Sequence, residues 1–373
     1  MKVIELAGLG ALPFGTLKLA DMGAEVIRVD RLAEVPDEKV AKGYSSWDRG
    51  RRSIAVDLKN PEGVETVLRL AADADIFCEA FRPGVAERLG VGPDDVAARN
   101  PAIVYGRLTG WGQSGDLAPS AGHSLNYEAI TGVIGSVGPV GGPPVPVMQL
   151  LGDFAGGGLT FAFGVMCALW EAKHSGRGQV VDAAMTDGVA SLASVFYGMQ
   201  ASGMHTTELG TNLFDGGSPF YAVYECKGGG HMSIAPIEPH FWALMLETIG
   251  IDQSTLPAQY DRERWPEVKA VLAARFMEKT RDEWCEILEG TDCCASPVLS
   301  FDEARVYPHH VQRGTFRGDE GTEVGPVPVL SRTPGELRAS PAWVGADTDS
   351  VLGEWGFGDD QIAALRSNGA VGG

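Results

Sequence analysis

Short apolar runs alternate with amphipathic ones along the first half of the chain. Residues 2–6 read as a buried strand that runs into the turn Gly8-Leu9-Gly10. Residues 14–22 carry helical periodicity, led by Pro13 and stopped at Gly23, residue types that suit the first turn of a helix and the position just past its end. Residues 25–30 follow as a second strand. A strand, a helix and a strand in that order imply a crossover and a parallel sheet. Residues 53–57, 76–79 and 103–105 read as further strands, and residues 61–71 as a helix capped by Asn60 with Pro61 at its first position. A long apolar run over 154–172, a strand over 180–182 and a helical run over 186–199 complete this part. The alternation predicts an α/β fold with a large, Rossmann-like, doubly wound domain.

The pattern changes beyond residue 202. Residues 202–219 are rich in Gly, Thr and Asn and read as an extended connection. Two strand-like runs, 221–226 and 231–236, flank Lys227-Gly228-Gly229-Gly230, which signals a hairpin. Helices are expected over 239–249, 265–279 and 281–289, giving a smaller α+β domain. The organisation read from the sequence is a large domain over 1–185, a linker over 186–220, a small domain over 221–310, and a return segment over 311–373 that rejoins the large domain. Within that segment Thr333-Pro334-Gly335 reads as the start of the last helical stretch.

Composition narrows the function. The 373 residues carry 30 Lys+Arg against 49 Asp+Glu, a net charge of −19. So acidic a surface argues against general binding of nucleic acid or anionic membranes. It leaves room for a small phosphorylated ligand held by a few local cations, and Arg28, Arg31, Arg49, Arg51, Arg52, Lys59, Arg82 and Arg88 fall close together in the chain. Scattered surface solubility explains such positions equally well. The six cysteines form no C-x-x-C pair, which argues against a disulfide framework or a zinc site and fits a reducing cytoplasm. The N-terminus enters a strand pattern at once, with no signal-peptide pattern. Residues 154–170 come closest to a membrane span, but their small residues and the following Glu171 suit a buried helix better.

Several kinds of chemistry find little support. Gly8-Leu9-Gly10 is a weak dinucleotide fingerprint, and Pro13 stands where its third glycine belongs, so a structural turn is the better reading. No G-x-S-x-G occurs, and His174, His309 and His310 lack partners at ligand spacing. What remains is His123, Asp153 and Glu238. His123 follows Gly122, and Asp153 follows Gly152 thirty positions later, directly before the apolar run. Asp153 is therefore expected at a helix N-cap, among unpaired backbone N–H groups. A base, an acid and free amide donors suit abstraction of a proton beside a carbonyl, with the helix start stabilising the oxyanion. Each residue also has a purely structural reading: a loop hydrogen bond for His123, and helix caps for Asp153 and Glu238.

The chain resembles the α-methylacyl-CoA racemases of the family III CoA-transferase superfamily. The motifs that carry the resemblance include Leu19-Ala20-Asp21-Met22-Gly23-Ala24-Glu25-Val26-Ile27-Arg28-Val29-Asp30-Arg31, Glu79-Ala80-Phe81-Arg82-Pro83-Gly84-Val85, Gly110-Trp111-Gly112-Gln113-Ser114-Gly115, Gly152-Asp153-Phe154 and Tyr224-Glu225-Cys226. Gly122-His123 together with Ile237-Glu238-Pro239 points to the racemase branch. The resemblance implies the family III CoA-transferase fold, an interlocked homodimer with shared active sites, and an acyl-CoA substrate inverted at C2 by 1,1-proton transfer through an enolate. It implies His123, paired with Glu238, as one base and Asp153 as the other. It implies CoA contacts from Arg31, Val56, Asp57, Leu58, Lys59, Gly122, Ser124, Leu125, Asn126 and Tyr127, with Arg82 and Arg88 at the phosphates. No metal or redox cofactor is expected, CoA being part of the substrate. One position departs from the family: an aspartate usually follows the histidine, and here Ser124 does. The alternatives are a family III CoA-transferase using Asp153 as nucleophile, and a non-catalytic acyl-CoA binding protein.

Overall fold

The computed structural model describes residues 1–39, 47–318 and 321–373. The chain forms two units. Met1–Thr131, Val147–Leu192 and Arg317–Gly373 make the first, and Gly132–Pro146 with Ala193–Phe316 make the second.

The first unit is built on a sheet that, among the described residues, has seven strands. Six are parallel: β1 (Lys2–Leu6), β2 (Glu25–Arg31), β3 (Arg51–Val56), β4 (Ile76–Glu79), β5 (Val104–Thr109) and β6 (Val180–Ala184). They lie in the order β3-β2-β1-β4-β5-β6, with Val371–Gly372 added antiparallel beside β3. The register sets Val3 opposite both Val26 and Ile76. Helix α1 (Ala11–Asp21) starts earlier than its periodicity suggests, because Gly10 at φ 70° turns the chain straight out of the β1 loop. Helix α2 (Pro61–Ala72) starts where its local signals put it, with Asn60 accepting the Glu62 N–H at 3.0 Å.

Both faces of the sheet are covered, as a parallel sheet requires. On one face Ile4, Leu6, Ile27, Ile54 and Phe77 pack against Val67 and Leu70 of α2 and against Val351, Leu352 and Ile362 near the C-terminus. On the other, Val3, Val26, Ile76 and Val104 meet Leu12 and Leu19 of α1 and Phe161, Val165 and Leu169. Those last three belong to a helix that follows α3 (Ser124–Ala129): Leu150–Leu159 is π-helical and runs directly into α4 (Thr160–Ser175). Helix α5 (Met185–Leu192) crosses the π-helical turn, with Val189 against Gly156.

Three expectations are corrected here. The apolar helix is not buried all round: Phe163 and Trp170 are each 72% exposed, and Met166 is exposed beside them. Leu150–Ser175 is long and apolar enough to cross a membrane by length and composition, yet one face of it is part of the sheet core. Thr333-Pro334-Gly335 starts no helix, since the Glu336 N–H donates to the Asp21 carbonyl at 3.0 Å instead; the last helices are Thr348–Glu354 and Asp359–Ser367. The polar run over 202–219 is ordered around Asn212, which is buried; its amide donates to the carbonyls of Thr206 and Glu208 at 3.1 Å each.

The second unit holds an antiparallel sheet of Ala222–Glu225, His231–Ile234 and Ala295–Pro297. Helices Pro239–Thr248, Trp265–Phe276 and Arg281–Leu288 supply Trp242, Phe276 and Trp284 to its core, where Phe220 and Met232 also lie. Against the division drawn from the sequence, 132–146 groups with this unit and 186–192 with the first.

Candidate active site

In a sheet ordered 3-2-1-4-5-6 the chain changes winding direction between β1 and β4. Their C-terminal ends therefore open a crevice, which is where such folds bind ligands. Gly8, Leu9 and Gly10 after β1, Ala80, Phe81 and Arg82 after β4, and Gly110 and Trp111 after β5 line a cavity of about 850 Å³ there. Gly122, His123 and Tyr127 form another part of its wall, and Asp153 enters from the π-helical turn. The β1 turn is thus a wall of the site. A Cβ on Gly10 would stand 3.1 Å from Asp153 Oδ2, and the backbone there is left-handed, so a glycine is what lets the loop approach the carboxylate.

Asp153 is not a helix N-cap. The helical segment begins at Leu150, after Gln149, and Asp153 lies inside it. The amides expected to be free are occupied. Gly152 N–H donates to Glu128 Oε1 at 2.8 Å, Asp153 N–H to Ser124 Oγ at 3.1 Å, and Phe154 N–H to the Gln149 carbonyl at 3.3 Å. They are therefore not the free donors expected there for an oxyanion. Ser124 Oγ in turn donates to Glu128 Oε1 at 2.7 Å. Gly152 is confined by this cluster, because a Cβ there would come within 2.3 Å of Ser124 Oγ.

The carboxyl of Asp153 is half-buried, and its pKa is raised. Burial is the main cause, the Glu128 charge adds to it, and His123 opposes it. Tyr127 is raised by burial and by Asp153, against an opposing effect of Arg82. Its hydroxyl donates to the Gly122 carbonyl, and its ring stands edge-on to Trp111 with centroids 4.7 Å apart. Tyr127 thereby ties down the loop that carries His123. His123 precedes α3, its backbone N–H donating to Asn126 Oδ1 at 3.1 Å. Its ring is exposed and makes no hydrogen bond among the described residues.

The remaining expected positions separate into groups. Arg31, Val56, Asp57, Leu58 and Lys59 line a second cavity of about 710 Å³ at the ends of β1–β3. Phe81 lines both cavities, so they adjoin. Arg82 lines the first cavity; Arg88 lines neither and is exposed at the end of the short helix Val85–Arg88. Ser124 is buried behind the wall, while Leu125 and Asn126 face outward on α3. Glu238 lies in the second unit, exposed, at the N-cap of Pro239–Thr248, where its side chain makes no capping bond. Four of the clustered cations serve the scaffold instead: Arg49 pairs with Asp21 at 2.7 Å, Arg51 with Glu5 at 3.1 Å, Arg28 with Asp30 at 2.9 Å and Arg52 with Glu354 at 2.6 Å. Lys59, Arg82 and Arg88 have no ion-pair partner among the described residues. Among those residues no group of three or more His, Cys, Asp or Glu side chains is placed to hold a metal ion.

Sequence reasoning missed Glu128 and the cavity positions Phe81, Trp111 and Gln149. A signal for Glu128 was present: it follows Ser124 by four residues, which puts both on one face of a helical turn.

A crevice at the winding change, an imidazole and a carboxyl on its wall and an adjoining apolar cavity set the class. The chain belongs to CoA-transferase family III, whose sequence profile matches residues 1–348. In sequence it is 42% identical over 375 residues to the alpha-methylacyl-CoA racemase of Mus musculus, covering 100% of this chain and 96% of that protein. To the alpha-methylacyl-CoA racemase of Homo sapiens it is 40% identical over 372 residues, covering 99% and 96%. The fold matches the crystal structure of a CAIB/BAIF family protein from Brucella suis with a TM-score of 0.79 at 23% identity, over 95% of this chain and 98% of that one.

Proposed function

We propose that the protein is an isomerase that inverts C2 of 2-methylacyl-CoA thioesters by 1,1-proton transfer through an enolate. The observation that carries this reading is that His123 and Asp153 line one cavity, in a chain 40–42% identical to proteins named as racemases. One group removes the α-proton, and the other supplies a proton to the opposite face of the carbon. A thioester α-proton is a weak acid, so an ordinary carboxylate is a poor match for it. The raised pKa of Asp153 brings the base closer to the task. Histidine gains and loses a proton near neutrality, so the same pair serves both directions.

CoA is bound as part of the substrate. Its nucleotide end occupies the cavity lined by Val56 and Leu58 with Arg31 and Lys59 at the edge, and Arg82 and Arg88 meet phosphate groups. The working form is a homodimer with shared sites, in which Glu238 of the partner subunit accepts a hydrogen bond from the His123 ring and fixes its tautomer, by the logic of hydrolase triads. The exposed apolar face of Phe163, Met166 and Trp170 supports an assembly that covers it. The six cysteines are free, in keeping with work in the cytoplasm.

Incubating each epimer of a 2-methylacyl-CoA separately in heavy water tests this. Deuterium should enter C2, and both epimers should appear from either starting material. Recovery of both epimers unlabelled and unmixed would overturn the reading. An acyl group trapped on Asp153 by hydroxylamine, without exchange at C2, would assign the transferase instead.

A further inference from the structure

Glu128 is a buried carboxyl that the scheme above does not use. It is 0% exposed. Its Oε1 accepts from Ser124 Oγ at 2.7 Å and from Gly152 N–H at 2.8 Å, while its Oε2 is buried with no hydrogen-bond partner among the described residues. Burying a carboxylate with one oxygen unmatched is costly, and native proteins keep such groups rarely. An apolar residue at position 128 would spare the unmatched oxygen but would leave the Gly152 N–H and the Ser124 hydroxyl without their acceptor, so the carboxyl is held there by the segment that carries Asp153.

The surroundings supply a reason. Ser124 Oγ, which donates to Glu128, accepts the Asp153 N–H at 3.1 Å. Glu128 is thus joined to the backbone on both sides of the Gly152–Asp153 peptide bond, directly at Gly152 and through one hydroxyl at Asp153. We propose that Glu128 is a positioning residue for the carboxyl base: through Ser124 and Gly152 it fixes where Asp153 stands in the cavity, and it sets a second carboxyl behind that base. This rests on the reading of Asp153 as a base.

The electrostatics agree in sign, since the Glu128 charge is a cause of the raised Asp153 pKa. Among the described residues the other charged or titratable groups lining this cavity are His123 before α3, Tyr127 in it, Arg82 after β4, and Asp48. The helices α1 and α5 present only Ala11, Pro13 and Met185 to it.

The test is the pH profile of kcat/KM measured separately for the two epimers in Glu128→Gln. Removing the charge lowers the Asp153 pKa, so Asp153 is competent as a base at lower pH. The acidic limb should move down by about 1 pH unit for the epimer that Asp153 deprotonates, and stay in place for the epimer that His123 deprotonates. Limbs that stay in place for both epimers, with or without a fall in melting temperature, would overturn the proposal and leave Glu128 a structural residue. Should Glu128→Gln fail to fold, the double variant Ser124→Asp/Glu128→Leu moves the carboxyl back one turn. It should keep the wild-type limb, and a displaced limb in the folded double variant would count against the proposal. Loss of C2 exchange from the unaltered protein is a different outcome, which removes the isomerase reading itself.

Discussion

The two groups proposed to handle protons in the cavity are held in opposite ways. Asp153 sits inside a π-helical turn, half-buried, its backbone amide and that of Gly152 fastened to Ser124 and Glu128. His123 stands at the start of a short helix with only its backbone secured, through Asn126, and its ring is exposed and unbonded among the described residues. One of the proposed bases is therefore held on both sides by its own unit. The other has its place fixed but not its ring orientation or tautomer, which is the part a carboxylate on the second nitrogen normally supplies.

The strongest test of that contrast removes each base in turn. Asp153→Ala and His123→Ala should each slow inversion by about 10³-fold while binding CoA nearly normally. Each should still exchange the C2 proton of one epimer, and the epimer should differ between the two variants. Exchange of the same epimer by both would break the contrast. A smaller effect is expected behind the carboxyl. Gly152→Ala puts a methyl group 2.3 Å from Ser124 Oγ, which should cost about 1–3 kcal/mol of stability, seen as a lower melting temperature. Its residual activity should resemble that of Asp153→Ala rather than His123→Ala. The smallest effect is expected away from the reacting carbon. Arg31→Ala and Lys59→Ala should raise KM about threefold with kcat unchanged, and less so as salt is added.

Features settled by neighbouring residues were legible in the sequence. Asn60-Pro61 starts α2, Lys227-Gly228-Gly229-Gly230 makes the hairpin, and Ile76–Glu79 is a strand, each because a local cap, turn or apolar run decides it. Features settled by distant partners were not. Asp153 reads as a cap beside an apolar run, but the helix begins at Leu150, where Glu128 and Ser124 take up the amides from another segment. Thr333-Pro334-Gly335 has the composition of a helix start, yet the next N–H is claimed by the carbonyl of Asp21. The exposure of Phe163 and Trp170 could not be read from an apolar run, because the run is the same whether one face or both are covered.

The crevice between β1 and β4 follows from strand order. Chemistry can then be exchanged on a constant frame: a change in a few loop and helix residues alters what the protein does while the opening itself persists. Few positions then separate one chemistry from another on such a scaffold, and here the amides of Gly152 and Asp153 hang on two side chains from another segment, Glu128 and Ser124.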